Sequence, residues 1–180
     1  MVGIVEFWDQ ARQELAGLPG GAGLNIAHEA VDRHVAEGNG DRIAIRWIGG
    51  GGAQRDISYK ELSHSASRFA NALKGLGVAA GDRVFSLLNR VPELHITALG
   101  TWKRRAVFCP LFSAFGPEPV RARMLIAKPS VLVTTQRLFA RKIQPILGEL
   151  PFLKHIVLID GGAGGLDFKT LLANSSDNYV

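Results

Sequence analysis

The stretch that decides the fold is RVFSLLNRVPELHITALGTWKRRAVFCPLF, Arg83 to Phe112. It opens with an apolar run, passes through a segment that begins at Pro92 and Glu93, and returns to an apolar run at Ala106. Proline in the first turn and an acid near the positive end are typical of a helix start. A helix between two unbroken apolar strands indicates a parallel pair, with the helix crossing one face of the sheet. We therefore predict a strand–helix–strand unit here.

The same alternation continues toward the carboxyl end. Pro117 and Glu118 start the next helix in the same way, and a later helix from Gln136 to Gln144 should break at Pro145. The remaining apolar strands are SVLVTT, Ser130 to Thr135, and KHIVLI, Lys154 to Ile159. The sequence predicts an α/β fold, a partial doubly wound parallel sheet with flanking helices.

The amino-terminal part predicts two helices joined by a connector. The first helix spans Val2 to Ala16, and the glycine- and proline-rich GLPGGAG, residues 17–23, is the connector. Asn25 can cap the second helix, which should turn an apolar stripe toward the core. The predicted stripe comprises Ile26, Ala30, Val31 and Val35.

A hairpin and a long helix are predicted to follow. RIAIRWI, Arg42 to Ile48, alternates polar and apolar residues as a half-buried strand does, and the glycine run after it indicates a hairpin tip. Ser58 and Glu61 have the spacing of a capping box, in which each side chain satisfies a free backbone N–H. The helix stripe comprises Leu62, Ala66, Phe69, Leu73 and Leu76. Gly77 should end this helix in a left-handed conformation.

Composition narrows the class of protein. The chain has 180 residues, 47% of them hydrophobic, which suits one domain with a real core. No apolar stretch approaches the ~18 residues that a membrane span needs. The basic residues behind the net charge of +5 are scattered, without the interleaved aromatics of a nucleic-acid surface. The single cysteine, Cys109, lies in an apolar run and fits an inert thiol in a reducing compartment. We expect a cytoplasmic protein that binds neither membrane nor nucleic acid.

Several catalytic and metal-binding patterns do not occur in the sequence. It contains no G-x-x-x-x-G-K-[ST] phosphate loop and no G-x-S-x-G nucleophile elbow. His28 and His34 would point to different sides of one helix, so they could not share a metal. The glycines of DGGAGGLDF, Asp160 to Phe168, do not follow G-x-G-x-x-G and indicate a flexible turn. We predict no catalytic residue, no metal site and no strand after Ile159.

Five stretches of the sequence follow one another at characteristic spacing. They are NIAHEAVDRH, ISYKEL, FANALKGLGVAAGDRVFSLLNRVPEL, AVFCPLFSAFGPEPVRARM and VLVTT, between Leu24 and Asp160. Together they resemble the amino-terminal part of the AMP-forming acyl-CoA synthetases, the acetyl-CoA synthetases above all. The resemblance implies the amino-terminal subdomain of adenylate-forming enzymes. It divides the chain into a helix with its connector (1–23), a partial AMP-dependent synthetase domain (24–160) and a flexible tail (161–180).

The resemblance implies a two-step reaction. Acetate attacks ATP to give acetyl-adenylate and pyrophosphate, and the CoA thiol then displaces AMP. ATP with Mg²⁺ and CoA are thus the implied substrates, yet the family's phosphate loop, Y-T-S-G-S-T-G-x-P-K-G, does not occur in these 180 residues. Because that loop supplies backbone donors around the triphosphate, we expect this chain alone to make no adenylate.

A share of the CoA site is also implied. In the family, the loop that matches FSAFGPE and an arginine pair after the strand that matches VLVTT lie near the CoA nucleotide. They carry over to Phe112, Ala114, Arg137 and Arg141, an aromatic wall for adenine and guanidinium groups for phosphate. The family pair is usually spaced Arg-x-x-Arg, whereas these two arginines are one residue further apart. Core packing of the phenylalanine and a solvated helix face for the arginines are the alternative interpretations.

Two functions of different classes therefore stand side by side. The first is the amino-terminal part of an acetate or short-chain acyl–CoA ligase, inactive alone. The second is a non-catalytic module that binds CoA or a nucleotide, or a subunit that completes the remainder of a split enzyme in trans.

One departure from the family pattern is Arg105, where a glycine usually ends the helix in a left-handed conformation; it predicts strain on the order of 1 kcal/mol.

Overall fold

A computed structural model describes residues 4–179 of the chain. The first helix, α1, spans Ile4–Gln13, so the predicted start at Val2 lies outside the described residues. The predicted connector follows as a loop with a single 3₁₀ turn, Pro19–Gly21, closed by the Leu18 N–H donating to the Gly23 carbonyl at 2.8 Å.

The second helix begins as predicted but packs on a different stripe. Asn25 caps it, with its side-chain oxygen accepting from the Ala27 N–H at 2.9 Å. Two of its turns are π-helical, His28–Asp32 and Val35–Asn39. A π turn holds more residues than an α turn, so the α-helical spacing does not identify the buried face. Ala27 and Val31 are buried, while Ile26 and Ala30 are exposed. The predicted stripe was therefore wrong for Ile26 and Ala30, and right for Val31.

The predicted hairpin is confirmed. Its antiparallel strands are β1, Ile43–Ile48, and β2, Gln54–Ser58. At the tip the Gly49 N–H donates to the Ala53 carbonyl at 2.7 Å. A side chain at Gly49 would lie 2.4 Å from the ring of Trp47, so only glycine fits there. The Trp47 indole donates to the Arg90 carbonyl at 2.8 Å, which fastens the hairpin to the sheet described next.

The long helix α2 spans Tyr59–Gly75 and keeps its predicted ends. The Ser58 hydroxyl accepts from the Glu61 N–H at 3.1 Å, while the Glu61 carboxylate accepts from Arg55 at 2.9 Å instead of capping in return. Half of the predicted capping box is thus present. Gly77 has a φ of 78°, the left-handed conformation expected of it.

Five parallel strands form the main sheet, in the order β4-β3-β5-β6-β7. The strands are β3 (Arg83–Leu88), β4 (Val107–Phe112), β5 (Val131–Thr134), β6 (His155–Leu158) and β7 (Leu166–Asp167). The helices α3 (Pro92–Lys103), α4 (Pro117–Ala127) and α5 (Gln136–Leu138) lie between strands, and α6 (Phe168–Ala173) follows β7. The predicted α/β fold is confirmed, and no described helix is long and apolar enough to cross a membrane.

Two hydrophobic clusters cover the two faces of this sheet. On one face α2, α3 and α6 pack on the strands, with Phe69 against Phe168 at a ring distance of 5.5 Å. On the other face lie α4 and the segment between β5 and β6, where Met124 and Ile143 are fully buried. Successive residues of β3, β5 and β6 enter opposite clusters, which is why these central strands read as continuous apolar runs.

The carboxyl-terminal part departs from the predictions at two places. The helix predicted for Gln136 to Gln144 does end before Pro145, at Ile143, but its second half is a π turn, Phe139–Ile143. The chain then continues as a 3₁₀ segment, Gln144–Glu149, whose first turn tolerates proline. The prediction of no strand after β6 was wrong, since Leu166 and Asp167 pair with β6.

Residues predicted as a flexible tail carry elements that pack on the domain. Asp167 caps α6 by accepting from the Thr170 N–H at 2.7 Å. Beyond α6, Asn71 of α2 donates to the Ser176 and Asn178 carbonyls at 2.7 and 2.9 Å. A side chain of the domain can hold a polar tail in this way, by donating to its main-chain carbonyls, so the tail needs no apolar pattern of its own.

Arg105, between α3 and β4, has a φ of 57°. We predict that Arg105→Gly raises the free energy of unfolding by about 1 kcal/mol, because glycine removes the left-handed strain. The adjacent Arg104 has a φ of −73° and donates to the Val78 carbonyl at 2.7 Å. Arg104→Gly should therefore destabilise. Urea unfolding of both variants checks this, and a less stable Arg105→Gly protein would contradict it.

A second pair of variants tests the contact between α2 and α3. A β-carbon at Gly100 would lie 2.8 Å from both the Ala66 carbonyl oxygen and the Phe69 ring. We predict that Gly100→Ala lowers the free energy of unfolding by roughly 1–3 kcal/mol through overpacking. Gly75 has open space around it, so Gly75→Ala should raise stability by about 0.5–1 kcal/mol. Equal effects in the two variants would exclude the close helix contact.

Candidate functional site

The carboxyl ends of the parallel strands form one edge of the sheet. The connection after β3 crosses one face to β4, while the connection after β5 crosses the other face to β6. Open α/β sheets bind their ligands at such a reversal. The edge is tied together across the strands, since the Thr134 hydroxyl donates to the Leu87 carbonyl at 2.8 Å and the Ile159 N–H donates to the Thr134 carbonyl at 3.0 Å.

The loop after β4, residues 113–116, begins at an exposed aromatic ring. Phe112 is 63% exposed, and its ring meets that of Phe115 edge to face at 5.6 Å. The Phe115 N–H donates to the Phe112 carbonyl at 3.0 Å and closes a tight turn around the exposed Ala114. The Arg123 guanidinium stacks over Phe115 at 4.3 Å. Core packing is thus the role of Phe115 rather than of Phe112.

The segment after β5 carries the two predicted arginines. Thr135 caps α5 by accepting from the Leu138 N–H at 3.2 Å, and Asp160 accepts from the Gln136 N–H at 2.8 Å. Arg137 and Arg141 are both exposed, and neither makes a hydrogen bond or ion pair with another residue of 4–179. Arg137 lies in α5, and Arg141 lies in the π turn that follows it, Phe139–Ile143. Two cationic groups are therefore free to meet an anion.

Lys142 joins this segment to the loop after β4. Its ammonium donates to the carbonyls of Ser113 and Phe115, the latter at 2.6 Å. The contact joins the segment that carries Arg141, the residue before Lys142, to the loop that carries Ala114 and follows Phe112. The sequence did not reveal Lys142, because a lysine that binds main-chain carbonyls of a distant loop leaves no spacing pattern.

The charge around the loop is positive. Glu118 and Glu149 are the acids of α4 and of the 3₁₀ segment, and both pair with Arg121, at 3.3 and 2.5 Å. Arg123, Arg141 and Lys142 have no carboxylate partner among the described residues. An excess of cations at a sheet edge favours phosphorylated ligands.

An open cleft of about 790 Å³ runs beside Phe112. Its walls come from the hairpin tip, the turn after β3 and the end of β4. Residues that line it include Trp47, Ile48, Arg90 and Phe112. Two aromatic rings and a guanidinium group suit a planar, partly apolar ligand group.

Other reactive groups lie outside this arrangement. Burial raises the pKa of the Cys109 thiol, so the thiol is protonated at neutral pH and a poor nucleophile. Within residues 4–179 no group of three His, Cys, Asp or Glu side chains is close enough to hold a metal ion. The chemistry that the described residues support is binding by aromatic and cationic groups.

These features define the class of protein, an open parallel α/β fold with cationic and aromatic groups at the carboxyl edge of its sheet. The sequence profile of AMP-binding enzymes matches residues 32–177. The chain belongs to the AMP-binding enzyme family, which confirms the family expected from the sequence.

The curated relatives agree with this assignment. An acetyl-coenzyme A synthetase of Mycolicibacterium smegmatis is 32% identical over 148 residues, 77% of this chain and 16% of the relative. One from Magnetococcus marinus is 40% identical over 115 residues, 63% of this chain and 18% of the relative. The chain thus spans about a fifth or less of the length of these relatives.

Solved structures share the fold. A Brucella canis acyl-CoA synthetase superposes with a TM-score of 0.80 at 30% identity, covering 95% of this chain and 31% of that one. An anthranilate CoA ligase in complex with anthranoyl-AMP gives a TM-score of 0.74 at 24% identity, covering 86% of this chain and 28% of the ligase. The second likeness concerns the fold alone.

Proposed function

We propose that this chain is the amino-terminal part of an acetate or short-chain acyl–CoA ligase. The whole enzyme would make acetyl-CoA from ATP, acetate and CoA through acetyl-adenylate. The observation that supports the proposal is the junction of the Phe112 loop with the Arg141 segment through Lys142. It joins an element with an exposed aromatic ring to one with a cation that has no carboxylate partner among residues 4–179. The names of the relatives support the same reaction.

The chemistry assigns these residues to CoA rather than to the acyl group. The exposed ring of Phe112 offers a face for the adenine of CoA, and the small Ala114 leaves the main chain of the turn accessible. Arg141, and Arg137 one turn before it, can each form two hydrogen bonds with a phosphate. Binding the nucleotide end of CoA would bring its thiol to the acyl-adenylate for the second step.

We assign none of these residues to the binding of ATP. In the first step an acetate oxygen attacks the α-phosphorus of ATP and pyrophosphate leaves; in the second the thiol attacks the acyl carbon and AMP leaves. Backbone donors and Mg²⁺ would stabilise the charge of the first step. The phosphate-loop pattern does not occur in these 180 residues, so a further segment or a second polypeptide must supply it.

The free thiol of Cys109 suits a cytoplasmic site of action.

Arg141→Ala tests the CoA assignment. We expect the chain to bind CoA and the variant to bind it roughly tenfold or more weakly, because a charge-assisted hydrogen bond to phosphate is lost. Arg12→Ala, at an exposed arginine of α1, is the matched control and should bind as the parent does. Isothermal titration calorimetry measures both. Unchanged affinity in Arg141→Ala would remove Arg141 from the site.

Pyrophosphate release separates a ligase part from a complete catalyst. With ATP, Mg²⁺ and acetate, the purified 180-residue chain should release no acetate-dependent pyrophosphate, because the donors around the triphosphate are missing. Adding a polypeptide with the family's phosphate loop and remaining domains should restore release if the two assemble. Acetate-dependent release from the chain alone would refute this part of the proposal.

A further inference from the structure

The ammonium of Lys142 is held by two carbonyl groups of one turn. It donates to the Ser113 oxygen and, at 2.6 Å, to the Phe115 oxygen. Both bonds are partly buried, where hydrogen bonds from a charged donor are strongest. Lys142 has no carboxylate partner among the described residues, so these carbonyls are its main electrostatic compensation. Because the carbonyl groups carry no net charge, the main effect of these two bonds is to fix the position of the turn.

The turn has other restraints, but they are local. The Phe115 N–H bonds to the Phe112 carbonyl at 3.0 Å, and Arg123 of the adjoining helix α4 stacks on the Phe115 ring. Lys142 differs because it belongs to the segment after β5, in the same π turn as Arg141. Its two bonds therefore set where the turn lies relative to that arginine.

We propose that Lys142 is a positioning residue for CoA, one that holds the Phe112 turn in register with Arg141 without touching the ligand. This inference rests on the proposed function, since the two elements that it joins are those assigned to the CoA nucleotide. Two of the three N–H donors of Lys142 already bind carbonyls, which leaves a fixed ammonium with little freedom to follow a phosphate. A binding group that is displaced from its partner atom forms a weaker hydrogen bond, because the bond depends steeply on distance and angle.

The test compares Lys142→Met with Lys142→Arg in the full 180-residue chain. Methionine keeps the length of the side chain but cannot donate, while arginine can still bond both carbonyls. Lys74→Met, at an exposed lysine in the last turn of α2, is the matched control. We expect Lys142→Met to weaken CoA binding about tenfold, the loss of about one hydrogen bond to the ligand. Lys142→Arg should retain most of the affinity, and the control should match the parent.

Two further measurements distinguish positioning from direct contact and from loss of folding. Dephospho-CoA lacks the 3′-phosphate, so a loss confined to CoA, with unchanged amide exchange at Phe115, would show direct contact between Lys142 and that phosphate and overturn the inference. Amide hydrogen exchange at Phe115 should be faster in Lys142→Met, while its melting curve remains cooperative.

The outcomes separate this inference from the proposed function. Unchanged exchange at Phe115 in Lys142→Met would show that the lysine does not hold the turn, whatever CoA does. If the parent chain binds no CoA, the proposed function is wrong, and so is a role for Lys142 in CoA binding. Faster exchange at Phe115 in Lys142→Met would then still show that Lys142 holds the turn. If Lys142→Met does not fold, the Lys142→Arg variant decides: tenfold weaker binding of CoA there, with a normal melt, would contradict positioning through the two carbonyls.

Discussion

The parallel pairing of β3 with β4 on one side and β5 on the other is the constraint on which the structure depends. Val84 and Phe85 enter opposite hydrophobic clusters, so burial on both faces prevents β3 from shifting by one residue. Leu88 pairs with Phe112, and Leu87 pairs with Thr134. The turn after β4 and the helix after β5 therefore start from the same edge of the sheet, which is the precondition for any joint site.

Much of this framework could be predicted from local patterns, because apolar runs, proline-started helices and glycine ends each report a nearby interaction. The exceptions have physical causes. The π turns near Val31 change the number of residues per helical turn, and the spacing of apolar residues in the sequence does not predict this change. Pro145 lies in the first turn of a 3₁₀ segment, where N–H groups have no partner within the helix, so its missing N–H costs no hydrogen bond. Strand β7 has only two residues, Leu166 and Asp167, too few for any alternation to show.

The candidate site was predictable to a different degree. Family resemblance, not periodicity, pointed to Phe112, Ala114, Arg137 and Arg141, and their role in binding CoA stays a prediction. The structure adds that Phe112 is exposed while Phe115 packs under Arg123, a distinction invisible in the letters FSAF. Lys142 was missed because its partners are carbonyl oxygens, which every residue possesses. Sequence reasoning detects side-chain chemistry far better than side chain to main-chain contacts.

The strained residue before β4 belongs to the same argument. Arg105 has a left-handed backbone, yet its carbonyl accepts from the Gly81 N–H at 2.9 Å and the next residue, Ala106, donates to the Thr101 carbonyl at 3.0 Å. Immediately beyond, the Val107 N–H donates to the Asp82 carbonyl at 2.7 Å and starts the β3–β4 ladder. These bonds cannot all form unless the chain reverses sharply at Arg105. The left-handed conformation thus sets the register of β4, and through six paired residues it sets the height at which Phe112 leaves the sheet.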